Sequence, residues 1–261
     1  MNEAGALALI AEGLERTQRP YIALSGGKDS QVVAHLVHRV DPSIPMVYSD
    51  DELLFPEHVA FIRRLRDEVG AQLRIVSGAS VHSGWFTPWQ GAVSTYWRQP
   101  EPEMEWLPLR DGRRLRLSVV ARRLGYDGAF LGLRRSESMR RHSLLSGTGG
   151  LAWIGGYWRI NPLIDWTTED VWGYIRQHAL TPCSVYARFT ALRAPQRLMR
   201  LGPLPLADGE LLMRGWPALY AALVRRYGRR WSVPAPDPTG RRRPKGISSL
   251  DWLDIQEAIY A

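Results

Sequence analysis

Pro20-Tyr21-Ile22-Ala23-Leu24-Ser25-Gly26-Gly27-Lys28-Asp29-Ser30 decides how the chain is read. It opens with an apolar run short enough for a buried strand and continues as a polar, glycine-rich turn. Val32, Val33, Leu36, Val37 and Val40 then recur at helical spacing. Strand, tight loop and helix in that order open a parallel α/β unit. Two consecutive glycines let the backbone approach an anion with no Cβ in the way. The N–H groups of the loop and of the following helix converge on the same point. Lys28 adds a point charge, and Ser25 and Ser30 add hydroxyl donors. Two commoner phosphate loops are excluded, because neither Gly-x-x-x-x-Gly-Lys nor Gly-x-Gly-x-x-Gly occurs there.

Outward from this segment the α/β rhythm continues. Residues 3–16 read as a helix before it. After it come a strand at Met46–Ser49 and an acidic run, Asp50-Asp51-Glu52. Pro56 suits the first turn of a helix whose apolar side is Val59, Ile62, Leu65 and Val69, with a stop at Gly70. Leu73–Val76 is a third strand. Residues 78–115 are rich in Trp, Pro and Gly and read as a lid-like insertion. A helix up to Leu124, a stop at Gly125 and strands at Ala129–Leu131 and Tyr157–Ile160 resume the pattern. Thr167-Thr168-Glu169-Asp170 resembles a capping box opening a helix through Val171, Tyr174 and Ile175. Beyond Pro182 the alternation ends. Trp216, Leu219, Tyr220, Leu223, Val224 and Tyr227 mark an amphipathic helix with Pro217 near its start. The expected fold is therefore α/β, an open, mostly parallel, Rossmann-like sheet flanked by helices. A nucleotide-binding domain over 1–186 is followed by a basic, mainly helical region over 187–261.

Composition sets the bounds. With 261 residues, 45% hydrophobic and 23% charged, the chain is an ordinary globular one. Its single cysteine excludes an internal disulfide and any four-cysteine iron–sulfur cluster held within one chain. No run approaches the ~20 apolar residues that span a bilayer, and the N-terminus is no signal peptide, so a soluble cytoplasmic protein is expected. The net charge of +8 is uneven. From Arg188 to Lys245 there are 12 Arg and one Lys against Asp208, Glu210 and Asp237. That excess suits DNA or RNA as a partner, or else is a solvated arginine-rich surface. Lys28 and Lys245 are the only lysines of the chain, so arginine preference does not account for the one in the loop.

Ser25–Ser30 resembles the PP-loop of the adenine nucleotide α-hydrolase superfamily. Three further segments are similar to the phosphoadenosine phosphosulfate (PAPS) reductase-like family. Asp50 through Phe55-Pro56-Glu57 resembles its Asp-Thr-Gly…Phe-Pro-Glu segment, with Asp51 and Glu52 in place of Thr-Gly. Gly132-Leu133-Arg134-Arg135-Ser136-Glu137-Ser138, continuing to Arg141, resembles its Gly-x-Arg-x-x-Glu-Ser…Arg motif. Asn161 through Thr167, with Asp170-Val171-Trp172, resembles its Pro-Leu…Trp-Thr…Asp-Val-Trp motif. The resemblance implies an adenine nucleotide, ATP or a PAPS-like one, at the strand C-termini with its phosphates around Lys28. It implies that Ser25, Gly26, Gly27, Lys28, Asp29, Ser30 and Gly132 form the cradle, and that Arg134, Arg135 and Arg141 act as anion clamps. Glu137 then either pairs with one of these arginines or takes part in the reaction. Asp50 holds Mg²⁺ or the nucleotide, or simply caps its strand. Trp166 and Trp172 read as core anchors.

The chain departs from the family where the reaction is done. Family reductases use a nucleophilic cysteine near the C-terminus, and Asp254–Ala261 contains none. Cys183 is the one thiol, in Thr181-Pro182-Cys183-Ser184, and a buried inert side chain is the expectation there. His35, His38, His58, His82, His142 and His178 show no metal-ligand spacing, and His35 with His38 reads as a surface face of a helix. Trp85, Trp89, Trp97 and Trp106 either stack a base or fill a small subcore. Three readings follow: an ATP pyrophosphatase that adenylates an acceptor, a silent nucleotide- or nucleic-acid-binding module, and a PAPS reductase working through a partner's thiol. A protein partner or a homo-oligomer fits any of them.

Overall fold

The computed structural model describes residues 2–49, 55, 57–77, 105–106, 117–195 and 209–221. Helix α1 (Glu3–Arg16) starts where the Asn2 side chain accepts from the Gly5 N–H at 2.9 Å. Strand β1 (Pro20–Leu24) leads through the loop into α2 (Lys28–Val40). The units β2 (Met46–Ser49)–α3 (Glu57–Val69) and β3 (Leu73–Ser77) follow. After β4 (Glu105–Trp106) come α4 (Leu117–Leu124) and β5 (Gly128–Phe130). A 3₁₀ turn at Arg135–Glu137 leads into α5 (Met139–Leu145), and β6 (Leu151–Ile154) and β7 (Tyr157–Ile160) form a hairpin. Helices α6 (Thr168–Gln177), α7 (Ser184–Ala191) and α8 (Gly209–Gly215) complete the labelled elements, with further helix over 217–221.

The strands form one sheet in the order β4-β3-β2-β1-β5-β7-β6. All neighbours pair in parallel except β6, which runs antiparallel to β7 at one edge. Strand β1 therefore sits mid-sheet between β2 and β5, with Ile22 opposite both Met46 and Phe130. Its alternate residues go to opposite faces. Ile22 and Leu24 join the larger core with α1, α2, α3, α6, α7 and α8, while Tyr21 packs beneath α4 with Val120 and Leu124. A strand buried on both sides needs apolar residues throughout, which is why Pro20–Leu24 is uninterrupted.

Helices α3 and α4 stop before Gly70 and Gly125, where their sequences place the ends. The capping box also forms: Thr167 Oγ1 accepts from the Asp170 N–H at 3.1 Å, and Asp170 accepts from the Thr167 N–H at 2.9 Å. Strand β6 has no counterpart in the sequence reading. Its residues do not alternate between a buried and an exposed face, and Trp153 and Ile154 are both exposed at the sheet edge. Most of the 78–115 segment lies outside the described residues, but Glu105–Trp106 within it extends the sheet beside β3. Among the described residues no helix is long and apolar enough to cross a membrane.

Candidate nucleotide site

The loop lies at the C-terminal end of β1, the point where an open parallel sheet offers its crevice. Two serine hydroxyls brace it. Ser30 Oγ donates to the Gly27 carbonyl at 2.9 Å and lies 3.2 Å from Ser25 Oγ, which accepts from the Gly27 N–H at 3.4 Å. Gly26 has φ +78°, and a Cβ there would lie 2.7 Å from the ring of the fully buried His58. Gly132 serves a different need. A Cβ on it would come 2.9 Å from the Asp29 carbonyl carbon, so only glycine lets the β5 exit loop back onto the first turn of α2. Gly27 caps α2 without a side chain. The helix-end donors Gly27 N–H and Lys28 N–H rest instead on neutral hydroxyls, those of Ser25 and, at 3.1 Å, Tyr186.

The charges around the loop are organised by Asp29. Its Oδ2 accepts from Lys28 Nζ at 2.7 Å and its Oδ1 from Arg134 Nε at 2.7 Å. Arg134 is 2% exposed and also reaches Ser136 Oγ at 2.9 Å, the Trp166 carbonyl at 3.3 Å and Thr168 Oγ1 at 3.4 Å. Its fork thus ties the start of α2 to the start of α6, with its donors on protein acceptors. Glu137 accepts from the Arg134 N–H at 3.1 Å and from the buried Arg141 guanidinium, so it is the partner that holds Arg141. Arg135 turns away to the exposed carboxylate of Asp165.

Asp50, expected to hold Mg²⁺, lies outside the described residues. The carboxylate that is described beside the loop, Asp29, already carries two cations on its two oxygens and is no donor for a third. Among the described residues no group of three His, Cys, Asp or Glu side chains is placed to hold a metal ion. Of the 188–245 basic run, only 188–195 and 209–221 are described. Arg188 there has a structural place, 3.4 Å from Glu57 and 4.9 Å above the Trp216 ring. Of the insertion tryptophans, Trp85, Trp89 and Trp97 lie outside the described residues.

Cys183 is 1% exposed at the start of α7, and burial pushes its thiol up to about 11. Trp166 is buried, and Trp172 packs edge-on against Tyr186 at 5.3 Å. The expected surface placement of His35 and His38 is corrected. His38 is buried with Nε2 at 2.7 Å from the Ile44 carbonyl, and His35 Nδ1 lies 2.8 Å from the Tyr174 hydroxyl. The reason is that α2 is covered by α1 on one flank and α6 on another, so its polar face is an interface. Tyr186 is the site residue that sequence reasoning did not find. It is 158 residues from Lys28, and no spacing rule joins them.

A cleft of about 350 Å³, bordered by Arg122, Tyr126, Asp127 and Tyr157, opens at the N-terminal ends of β5 and β7. It is at the opposite end of the strands from the Lys28 loop and belongs to a different part of the molecule.

Comparison with known proteins places these features in a family. A model of the phosphoadenosine phosphosulfate reductase domain matches residues 19–192. The phosphoadenosine 5'-phosphosulfate reductase of Alkalilimnicola ehrlichii is 31% identical over 182 residues, 68% of this chain and 69% of that one. The Salmonella choleraesuis protein of the same name is 29% identical over 174 residues, 66% of this chain and 67% of its own. A solved phosphate complex of PAPS reductase from Candida auris is similar at a TM-score of 0.49, with 15% identity over 69% of this chain and 82% of that chain. The matched span takes in the loop, the Arg134–Arg141 segment and the capped helix α6, and the chain belongs to the phosphoadenosine phosphosulfate reductase domain family.

Proposed function

We propose that the chain binds ATP at the Ser25–Ser30 loop and cleaves it to AMP and pyrophosphate, adenylating an acceptor. The observation that carries this reading is the start of α2. Its first N–H donors rest on neutral hydroxyls rather than on a carboxylate, with the Lys28 ammonium beside them. In the proposed step an acceptor oxygen attacks the α-phosphorus. The bond from that phosphorus to the bridging oxygen breaks, pyrophosphate leaves with the electron pair, and the acceptor's proton goes to solvent. Lys28 and the loop N–H groups neutralise the leaving group. A second nucleophile then displaces the AMP from the acceptor as free AMP. Arg134 is a positioning residue that orients Asp29, and Glu137 positions Arg141. Arg141 supplies further charge to the nucleotide, while Arg135, turned to Asp165, does not. Mg²⁺ brought with ATP would add charge neutralisation at the polyphosphate.

Reduction by this chain's own thiol fits poorly, since a thiolate is the nucleophile and burial keeps Cys183 protonated. The excess of arginine over 188–245 supports nucleic acid as the acceptor. Phosphorus NMR of the protein with ATP and Mg²⁺, with and without DNA, tests the reading beside Lys28→Ala. AMP and pyrophosphate are expected from the wild type. Turnover should fall by about a hundredfold or more in the variant, the scale of losing a charge on the reacting group. Unchanged ATP in every arm, or sulfite released from PAPS with a thioredoxin-like reductant, would overturn it.

A further inference from the structure

The Lys28 N–H belongs to the first turn of α2. It donates to the Tyr186 hydroxyl at 3.1 Å. The ring that carries this hydroxyl is held firmly. Tyr186 is 7% exposed, packs edge-on to Trp172 at 5.3 Å and lies 6.5 Å from Phe189. The fit extends to Gly27, where a Cβ would lie 3.4 Å from the same hydroxyl oxygen. Burial pushes the phenol's pKa above its ordinary value, so the oxygen on the N–H belongs to a neutral hydroxyl.

An N–H makes one strong hydrogen bond, along one direction. A phosphate oxygen seated at the start of α2 needs that direction, and the Tyr186 oxygen holds it. We propose that Tyr186 is an internal stand-in for the nucleotide's phosphate. Its hydroxyl satisfies the Lys28 N–H and yields it when phosphate binds. The inference rests on the nucleotide reading above and adds to it a residue that opposes the ligand. The ring, on α7, packs against Trp172 of α6. From Tyr186 the packing runs through Phe189 to Trp216, 5.6 Å apart.

The energetic consequence is specific. The hydroxyl stabilises the empty state by one hydrogen bond and weakens ligand binding by the same amount. Tyr186→Phe keeps the ring and removes the bond. The variant should unfold at a lower temperature yet bind ATP about tenfold more tightly, the equivalent of ~1.4 kcal/mol. Titration calorimetry with ATP, and with inorganic pyrophosphate as the phosphate-only probe, reads the second effect. A tyrosine with a purely structural role would lower stability without tightening either ligand. Equal or weaker binding by the variant therefore overturns the inference while leaving the nucleotide site standing. Absence of binding to the wild type overturns both.

A second measurement does not depend on the affinity of the variant. Lys28 and Lys245 are the only lysines, so ¹⁵N-lysine labelling gives two backbone amide signals, and Lys245→Arg identifies that of Lys28. Wild type and Tyr186→Phe should differ at Lys28 when empty and coincide when saturated with ATP. Signals that still differ at saturation would mean that the hydroxyl stays on the N–H, and the stand-in role would be wrong.

Discussion

Asp29 shows how much of this site is decided by one carboxylate. Lys28 and Arg134 both lie 2.7 Å from it, in a place where Asp29 is 17% and Arg134 3% exposed in their side chains. At that degree of burial an unpaired partner is costly, so the three charges stand or fall together. Cys183 illustrates the opposite case, a reactive group made inert. Its pKa is pushed from 9.0 to about 11 by burial, so the folded chain retains a proton that the unfolded thiol loses near 9. The stability owed to this group is complete below 9 and is lost as pH rises toward 11, about 2 to 3 kcal/mol at most. Chemical unfolding of wild type and Cys183→Ala across that range should show their difference shrinking by this amount. Iodoacetamide at about pH 8 should label the thiol only after unfolding.

At the scale of elements, the seam between α2 and α6 links the loop to the rest of the core. Arg134 bonds both helix starts, and two turns further on His35 of α2 meets Tyr174 of α6 at 2.8 Å. Arg39 donates to the same hydroxyl at 3.2 Å and to Glu3 of α1 at 2.5 Å. His178 stacks over Tyr174 at 4.1 Å, and His38 lies on the same helix as His35. Burial lowers the pKa of His35, and the neighbouring His178 and Arg39 lower it further, outweighing Glu3. A depressed histidine favours the neutral form, so the unfolded chain binds the proton first as pH falls below 6.5. Stability should therefore fall with acidification from that point. His35→Gln should flatten this limb, as read by unfolding midpoints across the acid range.

For the molecule as a whole, the proposed nucleic-acid acceptor rests on the charge carried after β7. If the arginines over 188–245 hold nucleic acid, binding of duplex DNA should weaken by orders of magnitude between about 50 and 200 mM salt. Lys28→Ala should leave that binding unchanged, because counterion release would then depend on the arginines of 188–245 and not on the loop lysine. Filter binding across salt concentrations checks both statements. Binding that is insensitive to salt would remove the nucleic acid from the proposal.

The parallel α/β order, the strand ends at Met46–Ser49 and Tyr157–Ile160 and the capped start of α6 are legible in the sequence. They rest on short-range physics: helical and strand periodicity, and a side chain reaching its own helix end three residues away. The glycine loop is legible for the same reason, since Gly26 and Gly27 answer a local backbone need. The partners of that loop are not. Asp29 meets Arg134 across 105 residues and Lys28 meets Tyr186 across 158, and the polar face of α2 becomes an interface only when α1 and α6 pack on it. By itself the sequence determined that a glycine-rich loop followed by a helix opens an α/β fold. The tertiary structure alone decided which distant side chains meet that loop, because those contacts form only when distant segments are brought together and dried by packing.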